Sequence, residues 1–206
     1  VRFGLWVEQN AHPAQAYTET AGCNTVVLES VVDLDAVLRN LATTLCLFSA
    51  QMCTSPQNIY VPAQGVKTPQ GMVPFEEVGQ RLADCVKALV SEPQKAAMIL
   101  ATIQSPQTLA LLLDLQRQGQ QCGKVLLAPA AYPHPEFAQA RTSTPLMVQL
   151  STQERDLYAQ EQFGPVSFVI RCESPQDALQ QATRDAHQQG GLTAFVYSQD
   201  EAFVQQ

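Results

Sequence analysis

With 206 residues, 46% of them hydrophobic, the chain can fill a real core, which excludes a disordered segment and leaves one large domain or two small ones. A formal charge of −7, with 12 Lys and Arg scattered along the chain, excludes a nucleic-acid partner. No long uncharged apolar run and no basic region ahead of an apolar stretch occurs, so neither a membrane span nor a signal peptide is expected, and the expected setting is cytoplasmic.

In chain order, VRFGLWV at 1–7 reads as a short strand, and TVVLES at 25–30 as a second, rich in β-branched residues and closed by polar ones. DLDAVLRNLATTLCLFSA, 33–50, sets Leu34, Val37, Leu38, Leu41, Leu45 and Phe48 three and four apart. That spacing predicts an amphipathic helix, with Asp33 and Asp35 suited to its N-terminal amides. NIYVP at 58–62 is a third strand cut off by Pro62, and PFEEVGQRLADCVKALV from Pro74 is a second helix with Val78, Leu82, Cys85, Val86 and Leu89 on one face. SPQTLALLLDLQRQG has Ser105 as N-cap, Pro106 at the first helical position and Gly119 as the stop; SPQDALQQATRDAHQQGG repeats the scheme with Ser174, Pro175 and Gly190. GKVLLAP, PLMVQLS, PVSFVIRC and GLTAFVYS are strand-like, while the Pro-rich 128–143 reads as a surface loop. Strands alternating with helices predict an α/β fold with a largely parallel sheet.

The cysteines, at 23, 46, 53, 85, 122 and 172, form no CxxC, and His12, His134 and His187 stand far apart, so no metal site is expected and most thiols should be reduced, inert packing. Cys53, in AQMCTSPQN, differs. It follows the 33–50 helix rather than lying on its apolar stripe, and Gln51, Thr54, Ser55, Gln57 and Asn58 around it are polar. It is either a buried filler or a nucleophile. A nucleophilic cysteine needs its thiolate, which a cation, a His or a helix N-terminus usually stabilises. The preceding helix offers its negative end, and no Lys, Arg or His lies within ten residues of Cys53. Activation would come from backbone amides, a His brought in by the fold, or a bound positive ligand.

YTETAGCNTVVLESVVDLD, AQMCTSPQN, QEQFGPVSFVI and GLTAFVYS, in that order, resemble the catalytic domain of the aldehyde dehydrogenase superfamily from about residue 17 to 198. YTETAGCN resembles the stretch with the family's general-base glutamate, here Glu19; AQMCTS resembles the stretch with its nucleophile, here Cys53, 34 residues on; EQFGP at 161–165 resembles its EXFGP segment. The wording CTSPQNIYVP is most like the PaaN-type branch that serves phenylacetic acid degradation.

The resemblance implies a three-layer fold and a mechanism. By the resemblance, Cys53 attacks an aldehyde, free or CoA-linked, beside the cationic nicotinamide of NAD or NADP, with its own amide helping to hold the oxyanion. Glu19 then activates the water that hydrolyses the thioester. Glu161 contacts the nicotinamide ribose and Phe163 lies beside it, each with a bland alternative as a surface carboxylate or a packing ring. The full-length enzyme would be a homo-oligomer. Where the family writes ELGG, this chain has Ala21, which puts cofactor or substrate geometry in question. No glycine-rich strand-to-helix turn occurs and residue 1 is not Met, so residues 1–206 are expected to be a catalytic domain from a longer protein, inactive without the upstream cofactor-binding domain. CoA-acylating dehydrogenation and a noncatalytic scaffold are the alternatives.

Overall fold

The computed structural model of the chain describes residues 2–18 and 22–206. Near-continuous apolar runs are what a sheet covered on both faces requires, and four such runs form its centre: β1 (Thr25–Leu28), β2 (Asn58–Pro62), β6 (Leu146–Ser151) and β7 (Val166–Cys172). With β5 (Lys124–Leu127) and β8 (Ala194–Tyr197) they make a six-stranded sheet in the order β5-β6-β7-β2-β1-β8. Every pairing is parallel except β5 with β6 at one edge.

Period-two alternation sends Val26, Leu28, Ile59, Val61 and Val169 to one face and Val27, Tyr60, Phe168 and Ile170 to the other. The first set is covered by α2 (Leu34–Cys46), α3 (Phe75–Leu89) and α4 (Pro93–Ile99), through Leu38, Leu41, Phe75, Leu82 and Ala96. The second is covered by α5 (Pro106–Cys122), α6 (Arg155–Tyr158), α7 (Pro175–Gln189) and α8 (Glu201–Val204), through Leu112, Leu115, Tyr158, Ala178 and Phe203. The result is the expected three-layer α/β arrangement. A separate hairpin of β3 (Val66–Thr68) and β4 (Gly71–Val73) precedes α3. None of the described helices is long and apolar enough to cross a membrane.

Helix starts follow the side-chain chemistry. Asp33, Ser105 and Ser174 accept from the amides of Ala36, Gln107 and Asp177, and Gly190 ends α7 at φ 78°.

Three expectations need correction. The segment expected as the first strand is helical, as α1 (Arg2–Asn10), because Phe3 and Trp6 recur at helical spacing and their rings stack at 6.0 Å. The 33–50 helix stops at Cys46, and Leu47–Ala50 turn out of it with Phe48 off the apolar stripe. Gly119 does not end α5, which runs to Cys122; it is a notch, since a Cβ there would lie 2.7 Å from Val148 Cγ1 on β6.

Candidate active site

Phe48, Ser49 and Ala50 adopt φ of 52°, 55° and 48°, a left-handed run that costs L-residues about 1–2 kcal/mol each. Side chains hold it in place. The buried Ser49 Oγ donates to Ala101 O (2.8 Å) and accepts from Ala101 N (3.1 Å). Gln51 Nε2 donates to Thr102 O (3.0 Å), and its Oε1 accepts from Gln104 N (2.9 Å). This turn delivers the loop that carries Cys53, which is exposed; the amide of Ser55 closes the loop onto Met52 O at 3.1 Å.

Three other segments meet that loop. Gln57, buried at the entry to β2, donates through Nε2 to Tyr158 O and Gln160 O (both 3.0 Å) and accepts through Oε1 from Gln162 N (2.6 Å). It thereby seats the 160–163 segment beside the cysteine loop. Glu161 Oε1 in turn accepts from Gly22 N at 3.1 Å, which ties that segment to the stretch ahead of β1. Thr193, ahead of β8, donates from Oγ1 to Thr54 O at 3.1 Å. The four segments are the entries to β7, β2, β1 and β8, which are adjacent and parallel. Their amino ends therefore lie along one edge of the sheet, and residues 139 apart in the chain, such as Gly22 and Glu161, become neighbours.

A small cleft of about 20 Å³ opens there, lined among others by Gly22, Met52, Ser55, Glu161 and Phe163. Met52 and Ser55 flank Cys53 in the chain. Glu161 is half-buried and Phe163 is exposed. Of the residues singled out from the sequence, Cys53, Glu161 and Phe163 thus lie on the segments meeting at this edge, and Glu19 and Ala21 lie outside the described residues. Sequence reasoning noted Ser55 and Gln57 only as polar neighbours of Cys53, without a role, and did not single out Asn24. Only their polarity inside otherwise apolar strand entries could have marked them.

Cys23, Cys46 and Cys172 are buried, whereas Cys53 and Cys122 are exposed and Cys85 is half-buried. Burial pushes Cys23 and Cys46 up to about 12, with the carboxylates of Asp185 and Glu161 adding to the effect at Cys23. Burial likewise raises Cys172, Cys85 and Cys122, so these five are protonated at neutral pH.

The model of the aldehyde dehydrogenase family matches residues 4–206. The chain belongs to the aldehyde dehydrogenase family. Among curated relatives, the N-succinylglutamate 5-semialdehyde dehydrogenase of Burkholderia orbicola is 28% identical over 185 residues, covering 89% of this chain and 35% of that protein. The chain spans about a third of the length of the curated relatives it matches. Among solved aldehyde dehydrogenases, the NAD-dependent enzyme from Burkholderia multivorans is 41% identical with a TM-score of 0.93, over 99% of this chain and 36% of that one. The 1-pyrroline-5-carboxylate dehydrogenase from Thermus with bound NAD shares the fold, with a TM-score of 0.69 at 20% identity, over 99% of this chain and 38% of that one.

Proposed function

We propose that residues 1–206 are the catalytic domain of an NAD(P)-dependent aldehyde dehydrogenase that oxidises an aldehyde to a carboxylic acid through a thioester on Cys53. The observation that carries this reading is the convergence of the Cys53 loop, the Gly22 amide and the Glu161 carboxylate at one sheet edge. The dinucleotide-binding domain would lie outside these residues, in keeping with the third of its relatives' length that the chain spans.

The cleft, at about 20 Å³, holds no more than about one water, so its lining could offer only contacts at the edge of a nicotinamide nucleotide seated mainly by the domain outside these residues. Ser55 Oγ is buried there without a hydrogen-bond partner among the described residues, beside a half-buried carboxylate and an exposed phenyl ring. Ser55 and Glu161 would meet ribose hydroxyls or the carboxamide, and Phe163 would cover a ring face. When bound, the cofactor supplies the two-electron oxidant and a positive charge near the thiolate.

The protein's own residues would do the rest. The Cys53 sulfur adds to the carbonyl carbon, and its backbone amide steadies the negative oxygen. After oxidation the acyl group is held as a thioester. Glu19 takes a proton from a water, the hydroxide adds to the acyl carbon, the C–S bond breaks, and the sulfur leaves as the Cys53 thiolate. The likeness of CTSPQNIYVP to the phenylacetic acid degradation branch supports a ring-opened, CoA-linked semialdehyde as substrate. A cytoplasmic setting and a homo-oligomeric full-length enzyme belong to the same proposal.

The test uses the full-length protein with this class of aldehyde and NAD(P)+. The expected result is NAD(P)H and free acid without added CoA, abolished by Cys53→Ser. An acyl-CoA product formed only with CoA would replace hydrolysis by thiolysis. No NAD(P)H from the wild type would favour the scaffold.

A further inference from the structure

Asn24 is 2% exposed and occupies the step from the glutamate-bearing segment into β1. Its Nδ2 donates to two carbonyls of the cysteine loop, Cys53 O at 2.7 Å and Ser55 O at 2.9 Å. Its Oδ1 accepts from two amides ahead of β8, Leu192 N at 2.9 Å and Thr193 N at 3.0 Å. Its backbone oxygen accepts from Gln57 N at 3.0 Å and Asn58 N at 3.2 Å. A carboxamide has two N–H donors and two acceptor lone pairs, and all four are used. Asp at this position would turn lone pairs towards two carbonyl oxygens, and Ala would leave two amides and two carbonyls without this partner.

We infer that Asn24 is a positioning residue for the reaction: it pins the carbonyl of Cys53, and with it the peptide plane that sets where the sulfur stands, to the sheet edge. This rests on the reading of Cys53 as the nucleophile. Two features argue for positioning beyond ordinary packing. The bond from Asn24 is to the carbonyl of Cys53 itself, and the left-handed run at Phe48–Ala50 loads the same loop with strain from its other side. A strained loop untied at that end would let the Cys53 peptide shift from its place at the sheet edge. Thr193 adds a second tie next door, from its hydroxyl to Thr54 O.

The decisive experiment is steady-state kinetics of full-length Asn24→Ala, Thr193→Val and Cys53→Ser, normalised to folded protein. Asn24→Ala is expected to lower kcat about 100-fold, the order lost when a reacting atom is misplaced by about 1 Å, with KM for NAD(P)+ unchanged. Thr193→Val, which leaves the buried Asn24 intact and so folds, is expected to lower kcat about threefold to tenfold with the same KM. A purely architectural role would lower the melting temperature and leave kcat per folded molecule at the wild-type value. Wild-type kcat in both clamp variants, with Cys53→Ser inactive, overturns the positioning role and leaves the nucleophile in place; so does a raised KM with unchanged kcat. Should Asn24→Ala fail to fold, Asn24→Asp, which keeps the acceptor for the Leu192 and Thr193 amides and loses the donor to Cys53 O, decides on the same readouts. Activity in Cys53→Ser removes the nucleophile reading and this inference with it.

Discussion

Desolvation governs the buried thiols and tyrosines of this chain. Cys23, Cys46 and Cys172 are buried, as are Tyr60 and Tyr158; burial is the largest cause of their raised pKa values, with Tyr158 up to about 12 and Tyr60 also raised by its bond to Asp185. In the unfolded chain the thiols lose their protons near 9.0, whereas the folded protein keeps Cys23 and Cys46 protonated to about 12. Their contribution to stability is therefore complete below about pH 9 and is lost as the pH rises towards their folded values. Denaturant melts at increasing pH should show stability falling across this window; a flat or rising profile would contradict it. Asn24 shows what single residues hide from a sequence reader. It stands in the quoted stretch YTETAGCN, yet its side-chain partners lie 29 and 31 positions away at Cys53 and Ser55, and 168 and 169 away at Leu192 and Thr193. No local pattern encodes such a clamp.

At the scale of elements, long periodic segments were legible and short ones were not. The stripe Leu34, Leu38, Leu41 and Leu45 gave α2, and the Ser-Pro starts gave α5 and α7, because apolar spacing and caps are local signals. The β3–β4 hairpin has three residues per strand, and α6 and α8 have four each, too few for a period to show. VRFGLWV was misread because its apolar density suits a strand as well as the helix it forms. Gly119 was misread because a glycine near a helix end looks the same whether it stops the helix or lets it approach a sheet. The notch reading has a consequence: Gly119→Ala should push on Val148 and destabilise by about 1–3 kcal/mol, read as a shifted denaturation midpoint. If the true role were a stop, the same change would be neutral or slightly stabilising.

Across the whole molecule, the order β7-β2-β1-β8 brings four parallel strand entries together, and the candidate site occupies their amino edge rather than the carboxyl edge where open α/β sheets commonly bind ligands. The fold class was legible from alternation alone. The site was legible only in part, because spacing along the chain does not reveal strand order: polar context singled out Cys53, resemblance to the family added Glu19, Glu161 and Phe163, and the sheet order brings the segments of Cys53, Glu161 and Phe163 to one edge. Family membership and fold stand on the match over residues 4–206 and the 0.93 TM-score. What needs a direct measurement is the covalent role of Cys53. Full-length Glu19→Gln, mixed with NAD(P)+ and aldehyde and quenched rapidly in acid, should accumulate a peptide bearing Cys53 heavier by the acyl group, with one NAD(P)H formed per adduct. An adduct on another cysteine, or wild-type turnover with none on Cys53, would contradict the account.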